Sequence, residues 1–182
     1  MGNQKAKTWF ITGATRGLGF QIAKSAAAAG DNVIVSGRNI EALRAAYKEH
    51  GESVLALELD VCQHEQIERA VQHGVDHFGR IDVLVNNAGY GQLGIFEEVA
   101  ESKVESQFRT NVFGLMEVTR AVLPHMRQQK AGHIINLSSI GGVYRLRKIS
   151  KTSRTRLIFL LPRKRRPIPK ISLDTWHGNE PW

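Results

Sequence analysis

From Thr8 to Leu137, short apolar runs alternate with longer stretches in which apolar residues recur every three or four positions. The runs Thr8-Trp9-Phe10-Ile11, Val33-Ile34-Val35-Ser36, Val54-Leu55-Ala56-Leu57-Glu58, Val83-Leu84-Val85 and His133-Ile134-Ile135-Asn136-Leu137 predict strands. The stretches between them predict helices over Phe20 to Ala29 and near 40–50, 63–78 and 103–129. In the segment 63–78, Ile67, Ala70, Val71, Gly74, Val75 and Phe78 fall on one face, as in a helix lying on a core. Gly30, Gly51, Gly79 and Gly132 stand where the helices are expected to stop. Strands this short and apolar are covered on both faces, which points to a parallel sheet with helices above and below it. Right-handed crossovers then give an α/β, doubly wound parallel sheet in three layers, with ligands at the carboxyl ends of the strands.

After Tyr144 the pattern collapses. Arg145 to Arg156 follows neither period and is half Lys and Arg; Leu157 to Leu161, the block Pro162-Arg163-Lys164-Arg165-Arg166-Pro167 and an unpatterned end follow. The chain thus divides into a body, 1–144, and a basic tail, 145–182, expected to be disordered. Charge divides the same way. The body carries 14 Lys+Arg against 15 Asp+Glu, the tail 11 against 2, so the net charge of +8 belongs to the tail. That weakens a nucleic-acid reading of the whole chain, although the Pro162–Pro167 block on its own resembles a basic nucleic-acid-contacting or nuclear-import segment. A basic run is more often a solvated charge cluster, so nucleic acid is not the expected partner.

At 182 residues the chain can bury one good core. Its single cysteine, Cys62, excludes an intramolecular disulfide and a cysteine metal cluster, and no metal is expected. One thiol fits a reducing cytoplasm. Met1 to Lys5 lacks the apolar region of a signal peptide, Ala6 breaks the myristoylation pattern, and no apolar run is long enough to span a bilayer.

The densest chemistry lies in Thr12-Gly13-Ala14-Thr15-Arg16-Gly17-Leu18-Gly19, between the first strand and the first helix. Glycines there let the backbone turn tightly and let a diphosphate approach the helix N-terminus, where unpaired N–H groups and the helix dipole favour an anion. Asp60-Val61 follows the third strand; the carboxylate is placed to accept from an adenine amino group, or to cap the next helix, or both. Asn86-Asn87-Ala88-Gly89 closes the fourth strand with small residues that let a flat nucleotide lie across the strand tips, although Asn and Gly also suit a simple turn. Asn111 sits inside a helical segment, where Asn is unfavourable unless its side chain bonds something specific, such as a backbone carbonyl or water. Ser138-Ser139 closes the fifth strand.

Together, Thr12-Gly13-x-x-x-Gly17-x-Gly19, Asp60-Val61, Asn86-Asn87-Ala88-Gly89, Asn111 and Ile135-Asn136-Leu137-Ser138-Ser139 resemble the short-chain dehydrogenase/reductase family over about residues 5 to 144. The resemblance implies a Rossmann-type sheet, a nicotinamide dinucleotide, and hydride transfer between cofactor and a small alcohol or carbonyl substrate. It makes Ser139 the substrate-holding serine and Asn111 the residue that organises a proton-relay water. Gly13, Thr15, Arg16, Gly17, Leu18 and Gly19 would bind the cofactor, with Asn87, Ala88 and Gly89 beside its adenosine half. Homo-oligomers are typical of the family, though the altered C-terminal part weakens that expectation here. NAD-binding sheets place a carboxylate after the second strand; here that end reads Ser36-Gly37-Arg38. Arg38, helped by Arg16, suits a 2′-phosphate, so NADP(H) is expected over NAD(H).

One part of the pattern is missing. The family's tyrosine, and its lysine one helical turn later, fall near Thr152 and Arg156, where neither residue stands. Tyr144 and Lys148 have the right spacing, but Tyr144 is only five residues beyond Ser139 and lacks an apolar helical setting. The chain is therefore expected to be catalytically impaired, with a non-catalytic dinucleotide-binding remnant as the alternative. No sixth or seventh strand is recognisable, so the sheet is expected to be incomplete at its C-terminal end. A shifted reading frame after Tyr144 accounts for the abrupt change, with truncation or splicing as the runner-up.

Overall fold

The computed structural model describes residues 6–92 and 94–138. The body is a five-stranded parallel sheet in the order β3-β2-β1-β4-β5. The strands are β1 (Thr8–Thr12), β2 (Asn32–Gly37), β3 (Val54–Glu58), β4 (Val83–Asn86) and β5 (His133–Asn136). The helices are α1 (Gly17–Ala28), α2 (Ile40–Tyr47), α3 (His64–Phe78), α4 (Glu101–Phe108) and α5 (Leu115–Gln129). The chain winds outward one way from β1 to β3 and the other way from β4 to β5. The switch point therefore lies between β1 and β4, where Trp9 pairs with Val83 and Ile11 with Val85.

Side chains that alternate along the strands build two cores. Phe10, Ile34 and Leu84 join Ile67 and Val71 of α3 and Val118, Val122 and Met126 of α5 in one cluster. Their strand neighbours Ile11, Val33, Val35, Val83 and Val85 join Ala23 and Ala26 of α1 and Leu43 and Tyr47 of α2 in the other. This two-sided burial is why the strands read as continuous apolar runs. At the amino ends of the strands, carboxylates close the sheet. Asp82 accepts from the Thr8 N–H at 2.9 Å and from the Arg80 guanidinium, and that hydrogen bond and the carboxylate's charge raise the pKa of the guanidinium. Asp31 accepts from Lys7 N–H and Trp9 Nε1.

Two sequence expectations need correction. The segment 103–129 is not one regular helix: α4 runs into a π-helical turn, Arg109–Gly114, before α5 begins. Nor does Gly132 stop the last helix. Lys130 does so, with left-handed φ 56 and ψ 23, while Gly132 lies against Met126, whose side chain occupies the space a Cβ would need. Left-handed backbone costs an L-residue about 1 kcal/mol that glycine avoids. Lys130→Gly is therefore expected to raise the unfolding free energy by about 0.5–1 kcal/mol, read as a higher urea midpoint at unchanged slope; a lower midpoint contradicts this account.

Candidate functional site

The residues expected from the sequence to bind the cofactor lie in the connections at the carboxyl ends of four neighbouring strands. Gly13 to Leu18 form the β1–α1 turn and the start of the helix, and Gly19 sits in the first turn of α1. Arg38 follows β2, Asp60 and Val61 follow β3, and Asn87, Ala88 and Gly89 follow β4. Two side chains tie these connections together at the switch point. The buried Thr12 hydroxyl accepts from the Asn87 and Ala88 N–H groups, each at 3.0 Å, and donates to the Val85 carbonyl at 3.4 Å. The Asn87 side-chain amide donates back to the carbonyls of Thr12 at 2.9 Å and Gly13 at 2.8 Å.

That interlock dictates the glycines. Gly13 has φ 67, and a Cβ there would stand 2.9 Å from Ala88 Cα. A Cβ on Gly19 would meet the Asn87 side chain and stand 2.7 Å from the Gly13 carbonyl oxygen. Arg16 enters α1 in extended conformation without a side-chain cap. Among the described residues, the N–H groups of Thr15 and Arg16 donate to no backbone acceptor. The turn thus presents unpaired donors at the positive end of a helix. Arg16 and Arg38 are exposed and make no ion pair among the described residues. Leu18, 60% exposed, lies on the open side of α1.

An open cleft of about 980 Å³ lies against these connections, lined by Arg38, Asp60, Cys62, Tyr90, Arg109 and Phe113 among others. The glycine turn is not in its lining, so the cleft covers one end of the site only. The Asp60 carboxylate accepts from the Cys62 N–H at 2.9 Å, closing its own turn. It does not cap α3, whose N-cap is Gln63 with no side-chain bond. Val61 is buried under the π turn, where a Cβ on Gly114 would stand 2.8 Å from its side chain and from its carbonyl oxygen.

Asn111 lies in the π turn and clamps the backbone of Tyr90. Its Nδ2 donates to the Tyr90 carbonyl at 2.8 Å and its Oδ1 accepts from the Tyr90 N–H at 3.1 Å. The bond partner expected for an Asn inside a helix is therefore the main chain of the β4–α4 connection. Ser139, Tyr144 and Lys148 lie outside the described residues, as do Thr152 and Arg156. Sequence reasoning missed the work of Thr12, taken only as a flank of the glycine motif, and of Asn86. The latter is buried and joins β4 to Thr119 of α5 and Asn136 of β5. The available signal was a polar side chain closing an otherwise apolar strand.

The sequence signature described as short chain dehydrogenase matches residues 7–151, seven positions past the end of the patterned body. An oxidoreductase of Botryotinia fuckeliana, BOA17, is 44% identical over 137 residues, which are 75% of this chain and 50% of the relative. Among solved structures, a short-chain dehydrogenase from Streptomyces avermitilis superposes with a TM-score of 0.74 at 42% identity, over 79% of this chain and 53% of that one. An actinorhodin polyketide ketoreductase with NADPH gives 0.74 at 34% identity, over 81% of this chain and 58% of that one. The chain spans about half the length of the curated relatives it matches.

The interlock carries its own stability consequence. Thr12→Val keeps the shape of the side chain but leaves the Asn87 and Ala88 N–H groups without their acceptor. It is expected to cost about 2–4 kcal/mol, measured by denaturant unfolding; a loss below about 0.5 kcal/mol, the level of an inert substitution, would show that the bonds are not needed.

Proposed function

The chain belongs to the short-chain dehydrogenase family, and from that premise we propose that it binds NADP(H) at the carboxyl ends of its strands but transfers hydride poorly or not at all. The observation that carries the binding half is the β1–α1 turn. Its Thr15 and Arg16 N–H groups have no backbone partner among the described residues, and open space lies where a Cβ on Gly17 would stand. A dinucleotide fits that donor set. The turn from Gly13 to Gly19 would hold the diphosphate, Asp60 and Val61 the adenine, and Asn87, Ala88 and Gly89 the adenosine side. When bound, the group supplies or accepts a hydride for an alcohol or carbonyl substrate.

Cofactor preference rests on the residue after β2. Arg38 is exposed beside a cleft and makes no ion pair among the described residues, and the end of that strand, Ser36-Gly37-Arg38, carries no carboxylate to take a ribose hydroxyl. Its fork suits a 2′-phosphate, with Arg16 as second cation. Impairment rests on residues 152 and 156: a reduced carbonyl needs a proton donor, and threonine and arginine do not provide one there. In this reading Asn111 and Ser139 keep the family's positions without the acid they serve. The single thiol, Cys62, agrees with a cytoplasmic setting. No helix among the described residues is long and apolar enough to cross a membrane.

Calorimetric titration with NADPH and NADH, beside an NADPH-oxidation assay on a panel of aldehydes and ketones, tests both halves. Binding of NADPH ahead of NADH with no turnover is expected. Arg38→Ala should weaken NADPH about tenfold to a hundredfold, as loss of charge-assisted bonds to one phosphate does, and leave NADH nearly unchanged. Equal weakening of both ligands removes the cofactor preference, rapid turnover removes the impairment, and no binding of either nucleotide removes the whole reading.

A further inference from the structure

Tyr47 ends α2 with its ring in the core cluster that lies under α1, tilted against Phe20 at a centroid distance of 5.4 Å. Its hydroxyl donates to the Ala14 carbonyl at 2.7 Å. The Ala14 N–H in turn donates to the Ser36 carbonyl of β2 at 2.9 Å. Both polar groups of Ala14, in the middle of the glycine turn, are thus held by β2 and α2. On the same side a Cβ on Gly37 would stand 2.6 Å from the Thr15 hydroxyl, so the absence of that Cβ lets Thr15 settle against the end of β2.

The consequence follows from peptide geometry. In a trans peptide the C=O and the next N–H point in opposite directions, and no peptide bond among the described residues is cis. With the Ala14 carbonyl drawn into the core by Tyr47, the Thr15 N–H must point away from it. Arg16 and Leu18, which follow it, are both exposed. Packing alone does not explain the hydroxyl, because phenylalanine fills the same space. Burial pushes the Tyr47 phenol well above its ordinary value, so it remains a neutral donor across the physiological range.

We propose that Tyr47 is a positioning residue for the phosphate-binding turn: its hydroxyl fixes the Ala14–Thr15 peptide so that the Thr15 amide is already aimed at the diphosphate of an incoming dinucleotide. The inference rests on the dinucleotide reading of that turn. Without the hydroxyl the peptide plane is free to rotate, and the cost of ordering it falls on ligand binding.

The test compares the full chain with Tyr47→Phe and with Ile34→Val, a core change on the opposite face of the sheet that lowers stability without touching the turn. Each is titrated with NADPH, fitting the number of sites and the dissociation constant separately, so that unfolded chain lowers the first and not the second. Tyr47→Phe is expected to weaken NADPH about five- to tenfold, the share of one buried hydrogen bond, and Ile34→Val less than about twofold. No weakening in Tyr47→Phe, or equal weakening in both variants, overturns the role of Tyr47 alone. Failure of the unaltered chain to bind NADPH overturns the dinucleotide reading and this inference with it.

Discussion

The site rests on the reciprocal hydrogen bonding of Thr12 and Asn87 across the gap where the sheet changes direction. At that point β1 and β4 send their chains to opposite faces, and the backbone groups at their tips lose the ladder that satisfies them elsewhere. Thr12 uses its full hydroxyl capacity, two acceptor positions and one proton, and Asn87 uses both protons of its amide nitrogen. Five polar backbone groups are thereby satisfied by two short side chains. The connections are tied from within, and their outward N–H groups are left available. Any residue but glycine at position 19 would collide with this bonding, so the glycine motif is as much a property of the interlock as of a ligand.

The two ends of the sheet are built on opposite principles. At the amino ends Asp31 and Asp82 take up the N–H groups of Lys7 and Thr8 with carboxylates, adding the Trp9 indole and the Arg80 fork. At the carboxyl ends satisfaction stops short, at the Thr15 and Arg16 amides. Between the ends, two cores grip alternate side chains of the same strands, so neither face can slide without disturbing the other. The open donors therefore follow directly on a strand gripped from both faces.

How much of this could be read in advance depended on whether the signal lay in a residue's type or in its partner. The sheet was legible because burial on both faces leaves a continuous apolar run, as in Val33-Ile34-Val35. Gly13 was legible because its turn needs φ 67. The hydroxyl of Tyr47 was not. On an apolar helix face four residues after Leu43 it reads as one more core ring, and only the fold brings Ala14 above it. Asp60 illustrates the same limit: a carboxylate before a helix fits a cap, but the chain bends at Cys62 and one carboxylate oxygen closes that turn instead. The π turn was hidden because its side-chain pattern does not differ from that of the α-helices on either side.

The π turn also explains why Asn111 is tolerated where helix propensity disfavours it. A π turn accommodates one extra residue and breaks the regular ladder, so a side chain that competes for backbone bonds costs least there. Asn111 turns that freedom outward and holds both polar groups of Tyr90. On the other side of the same turn, Gly114 lets the helix settle onto Val61, and Thr110 meets the Cys62 sulfur at 3.4 Å. One irregular turn thus binds the connection after β3 to the connection after β4. Those two connections carry Asp60 and Tyr90 on the lining of the open cleft, and the turn itself supplies Arg109, Thr110 and Phe113. A regular helix in this place would carry Asn111 off Tyr90 and Gly114 off Val61, and the cleft would lose the shared wall that joins its two sides.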